Sequence, residues 1–140
     1  METRGLLAPE TETEVRERYE DVGGAAQTVT REVARAMAFD RAEYRERVTG
    51  DVIETARDAL FASLLVVHLG DREEFEAACA DRPDYDVRES GNPNVESVAW
   101  HVAPVAETVA AATYQDEPDA AAAALRRQVH GRVYAPLLRD

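Results

Sequence analysis

The spacing of apolar residues changes near residue 82, and that change sets the fold class. Before it, the pattern is helical. Thr11 and Glu14 stand at capping-box spacing ahead of Val15 and Tyr19, and Gly23-Gly24 ends the segment. Residues 27–39 follow, with Val29, Val33 and Met37 four apart on one helix face. Asp40 and Glu43 open a short arginine-rich helix through Val48, which Gly50 breaks. Asp51 and Glu54 then start the most apolar helix, whose buried side is expected to carry Val52, Ala56, Ala59, Leu60, Leu64 and Val67. Gly70 reads as its stop, and Asp71 with Glu74 opens a further helix that ends near Pro83.

After residue 82 the period is two. A loop-rich segment at about 82–95 surrounds a short strand at 85–89. Val98, Trp100 and Val102 then alternate with Ala99, His101 and Ala103, as in a half-buried strand. Residues 107–115 mix helix-favouring alanines with strand-favouring Val109, Thr113 and Tyr114. A strand there gives 98–102 an antiparallel neighbour. Asp116 and Pro118 open a closing helix over about 119–134, with Leu125, Val129 and Val133 on its buried face. The expectation is an α+β fold in one compact domain over 1–140. It has a helical N-terminal half of four to five helices, a small antiparallel sheet of two to three strands, and a closing helix.

The charge inventory says where such a chain works. Its 28 acidic residues face 16 basic ones, all of them arginine, for a net charge of −12; lysine is absent. A G+C-rich genome accounts for arginine in place of lysine, but not for the acidic excess. Self-repulsion of that size destabilises a compact state at low ionic strength. In molar salt the Debye length falls to about 3 Å and most of the repulsion goes. Carboxylates also keep the surface soluble. The expectation is a cytoplasmic protein that needs high salt for stability. The single cysteine, Cys79, excludes an internal disulfide, and the longest apolar run, 59–67, is too short for a membrane span.

No motif carries chemistry. His68, His101 and His130 lie far apart, without the close spacings of zinc ligands, so no metal or cofactor is expected. His68, placed at the end of an apolar helix, suits the macrodipole there. Trp100-His101 is the most functional-looking pair. On a strand the two point to opposite faces, which makes the tryptophan core and leaves His101 among alanines. The last helix is the other candidate. Residues 1–119 hold 12 arginines and 27 acids, net −15, whereas residues 120–140 hold Arg126, Arg127, Arg132 and Arg139 against Asp140, net +3. Such guanidinium groups can clamp an anion or an acidic partner, or simply complement the helix dipole and nearby acids. The candidate binding residues are therefore Arg126, Arg127, His130, His101 and Trp100. Five arginines between Arg31 and Arg47 invite a helix-turn-helix reading, but four acids leave that stretch at +1, a poor basis for binding nucleic acid in salt.

The strings VTGDVIETARDALFASLLVVHLGDREEFEAACAD (48–81), VAWHVAP (98–104) and ETVAAATYQDEPDAA (107–121) resemble a small uncharacterised haloarchaeal family. That resemblance implies a high-salt cytoplasm and a single domain, and transfers no functional residue. The leading expectation is a non-enzymatic domain that binds protein, either itself or another. The competing one is a small enzyme or anion binder that uses His101 with arginines of the last helix. A third is a nucleic-acid-binding regulator acting through the helices at 27–48.

Overall fold

Three helix starts lie where capping pairs place them in the sequence. In the computed structural model, which describes residues 1–139, the Glu14 amide donates to Thr11 Oγ1 at 3.1 Å and opens α1, Glu12–Asp21. The Glu43 amide donates to Asp40 at 2.8 Å and opens α3, Arg41–Arg47. Asp71 and Glu74 form a full reciprocal box, at 2.8 and 3.0 Å, ahead of α5, Arg72–Ala80. Gly23-Gly24 and Gly50 behave otherwise than expected. They begin helices, α2 (Gly23–Ala36) and α4 (Gly50–Ser63), the latter capped by Thr49. Replacing Asp71 with alanine removes one acceptor of the box and is expected to cost about 1 kcal/mol. Chemical denaturation in molar KCl would measure it.

The sheet is larger than the sequence suggests and is mixed, so the expectation of two to three antiparallel strands is corrected. Five strands lie in the order β1-β2-β4-β5-β3: β1 Glu2–Arg4, β2 Val67–Asp71, β3 Asp86–Ser90, β4 Ser97–Ala103 and β5 Thr108–Tyr114. All neighbours are antiparallel except β3 and β5, which run parallel because β3 lies on the far edge of β5. The pairing of 98–102 with the 107–115 segment stands as expected, with Trp100 opposite Ala111.

The extra strand β2 occupies what reads in sequence as the end of the apolar helix. Helix α4 stops at Ser63, and β-branched Val66 and Val67 lead into the ladder. His68 thus sits in mid-strand, not at a helix terminus, 3.1 Å from Thr3 Oγ1 and beside the Trp100 ring. Gly70 is a strand residue too. A Cβ there would meet the Trp100 ring at 3.0 Å, so close packing rather than helix termination requires glycine.

Helices cover both faces of the sheet, which is why β4 is buried on both sides rather than half-buried. On one face α5 sets Phe75 against Trp100, with Val98 and Val109 completing the cluster. On the other, the last helix crosses β4 and β5, and its Leu125 and Val129 join Val15, Phe61, Leu65 and Val67. That last helix is α6, Pro118–Val129, continued by a π turn at His130–Tyr134 and a final turn α7, Ala135–Leu138. Helix α2 packs outside this core, chiefly on α4, and α3 follows it in the chain.

Candidate functional site

His101 is buried, 2% exposed, on the α6 face of β4. Its Nδ1 lies 2.6 Å from the Val66 carbonyl oxygen and its Nε2 lies 2.6 Å from the Tyr134 hydroxyl. A carbonyl oxygen only accepts, so Nδ1–H donates to Val66; in the neutral ring Nε2 then accepts from Tyr134. Burial draws the imidazole down from its ordinary 6.5 to about 4, against the pull of the Val66 carbonyl, and burial pushes the Tyr134 phenol up. Both ring nitrogens are committed, and the group ties β4, the start of β2 and the π turn together. Trp100, 1% exposed, is core on the opposite face, as its strand position implies.

Arg126, Arg127 and His130 do come together. They line a groove of about 440 Å³ between α4 and α6, whose floor carries Thr55, Ala59 and Ala62. Nothing in the sequence marks its acidic member, Asp58, which lies 3.4 Å from His130 Nε2 and 3.6 Å from Arg139. Asp58 also faces Tyr19, whose phenol rises to about 12 through burial first and the carboxylate second. His130 packs on Phe61 with neither ring nitrogen hydrogen-bonded, and burial lowers its affinity for a proton despite Asp58. Arg126 donates to the Leu65 carbonyl at 2.8 Å, so one of the four arginines is tied to the segment between α4 and β2. Arg127 is exposed and makes no ion pair among the described residues. Arg132 turns to another cleft, between α6 and the β3–β5 edge, with Arg88.

The chemistry available in the groove is limited by where its hydroxyls point. Thr55 donates to the Asp51 carbonyl at 2.9 Å and Ser63 to the Leu60 carbonyl at 2.8 Å. Neither is aligned with His130 as a nucleophile would be with its base. Among the described residues no three His, Cys, Asp or Glu side chains gather as metal ligands do, and no helix is long and apolar enough to cross a membrane.

The same floor continues into a second groove of about 450 Å³ between α4 and the α2–α3 hairpin, sharing Thr55 and Ala59. Here the expected burial of α4 is corrected. Val52 is 43% exposed and Ala59 is exposed, while Phe61, Ala62 and Leu65 are buried instead. Facing them across the groove are Val29, Val33 and Met37, exposed by 44%, 52% and 61%. The valine stripe of α2 is thus real but turned away from the core, where Ala26, Thr30 and Ala34 take its place. Alternating large and small residues on α2 let its small side approach α4 and leave its large side uncovered.

Comparison with curated proteins and with solved structures returned no match. A family model does match, over residues 6–135, which takes in α1 to the π turn and both grooves. The chain belongs to the family of unknown function DUF5809.

Proposed function

We propose that this protein is a non-enzymatic docking domain of a salt-rich cytoplasm, which holds a protein chain against the α2–α4–α6 face. The observation that carries the reading is the apolar stripe of Val29, Val33, Met37 and Val52. Four of the seven exposed large apolar side chains fall in one groove. Scattered surface valines need no explanation, but a contiguous patch lined by polar residues marks an interaction surface. Arg47 and Thr55 lie in its lining, and Arg126 and Arg127 border the adjoining groove on α6.

The rival readings find less support. An anion site using His101 with the α6 arginines would need them in one pocket, and His101 is instead enclosed against Val66 and Tyr134. A nucleic-acid surface on α2–α3 would need a strongly basic face, whereas Glu32, Asp40, Glu43 and Glu46 leave that stretch at +1 and Arg35 pairs with Glu32 at 3.1 Å.

The test is to purify tagged wild type and Val33→Asp from the source organism in molar KCl. Wild type is expected with a stoichiometric protein partner, a second copy or another chain, and the variant alone. An exposed helix position tolerates such a change within about 1 kcal/mol, so loss of the partner would not be unfolding. Wild type recovered as a lone monomer would overturn the proposal.

A further inference from the structure

We infer that the occupant of this face is a second copy of the chain, with α4 packed antiparallel on α4 of its partner about a two-fold axis near Thr55 and Ala59. The inference rests on the docking reading above and deepens it.

The argument is one of charge and apolar complementarity. At the N-terminal end of α4, Asp51 and Glu54 are exposed and make no ion pair among the described residues. Just past its C-terminal end Arg126 reaches the Leu65 carbonyl, and Arg127, exposed and without an ion pair among the described residues, lines the same groove. One α4 therefore offers acid at one end and arginine at the other. Laid antiparallel, two copies set each acidic end beside the other's Arg127, twice over. Laid parallel, they set acid against acid.

The α2 flank gives the same answer. An isologous contact matches a surface to itself. In the antiparallel arrangement α2 lies on its counterpart, so each Val29–Val33–Met37 stripe is covered by another. In the parallel arrangement that stripe lies over the partner's α6, and its valines meet arginine. Small side chains at Thr55, Ala59 and Ser63 on α4 let the two backbones approach at the axis. Two α2–α4 pairs then close into a four-helix layer that removes the four exposed apolar side chains of each copy from water.

Sedimentation in molar KCl is expected to give a dimer, and Val33→Asp, entering twice per dimer, to weaken it by about 100-fold or more. Ala59→Cys in a Cys79→Ser background places two thiols across the axis and should form a disulfide dimer under mild oxidation. Thr13→Cys, exposed on α1, should not. Arg127→Glu should weaken the dimer by about tenfold or more, and adding Asp51→Arg should restore it, which a merely structural role for Arg127 would not do. A monomer at every concentration, or a dimer that Ala59→Cys does not cross-link, overturns the inference. A monomer that still retains a Val33-dependent partner from the source organism overturns it while leaving the docking reading standing.

Discussion

Replacing His101 with alanine is expected to lower the melting temperature by about 10 °C or more, the largest loss from any single polar side chain in this fold. Two terms add. The ring is 2% exposed, so its removal leaves a cavity in the layer between β4 and α6. The Tyr134 hydroxyl also loses its partner while still buried, and the Val66 carbonyl loses one in a part-buried position. Together these cost about 3–5 kcal/mol. The same residue sets a pH limit. Its folded-state pKa is depressed, from 6.5 to about 4, so the fold holds the neutral ring. In that window the unfolded chain binds the extra proton. Stability is therefore full above about 6.5 and lost as pH falls toward 4, by about 3 kcal/mol. His68 and His130 are lowered by burial too and act in the same direction. Carboxylate protonation relieves the −12 charge and acts the other way. Thermal melts from pH 7 to 4 on wild type and His101→Gln separate the contributions. The variant should have the shallower acid limb, and an unchanged limb would assign the loss elsewhere.

Lowering KCl from molar to ~0.1 M is expected to weaken or abolish the helical circular dichroism signal, because the Debye length roughly triples over that range. The structure shows where the repulsion would act. Glu12, Glu14, Glu17 and Glu20 crowd α1, where Arg16 pairs with Glu12 and Arg18 with Glu17 and Asp21. Exposed pairs of this kind contribute about 0–1 kcal/mol each and cannot offset the whole excess. Association through the apolar face should follow the same curve, since two chains of −12 repel until salt screens them. Native ellipticity and reversible melting at low salt would defeat this expectation.

What was legible in the sequence was what is local. Thr11–Glu14, Asp40–Glu43 and Asp71–Glu74 cap helices through bonds that span three residues. The β4–β5 pair was legible because alternation and turn residues coincide. Strand β2 was not, since Leu64-Leu65-Val66-Val67 runs without a polar break from the end of a helix into a strand, and periodicity cannot divide such a run. Strand β1 was missed for a different reason: Glu2-Thr3-Arg4 is polar and earns its place only by pairing with β2. The burial of α4 was assigned to the wrong side because that helix is apolar on two faces. Phe61 and Leu65 face the core and Val52 and Ala59 face outward, and composition alone cannot rank them. At the site, Arg126 and Arg127 were visible as part of a reversal of charge, and His130 only as one of three histidines. Asp58 was one acid among many until the fold set it beside His130.

The π turn in the last helix bears on what changes that helix can absorb. In unbroken α-helical phase the residue four past Val129 would point at the sheet; the wider turn gives that place to Tyr134, five past it, and leaves Val133 half-buried. The turn acts as a one-residue insertion, shifting everything after it by about 100° around the axis. Deleting a residue there, exposed Gly131 included, would swing the phenol away from His101 although no buried side chain had been altered. Between Val129 and Ala135 the chain is therefore constrained more by its length than by its composition, and substitutions at Gly131 or Arg132 should be tolerated where a gap of one would not.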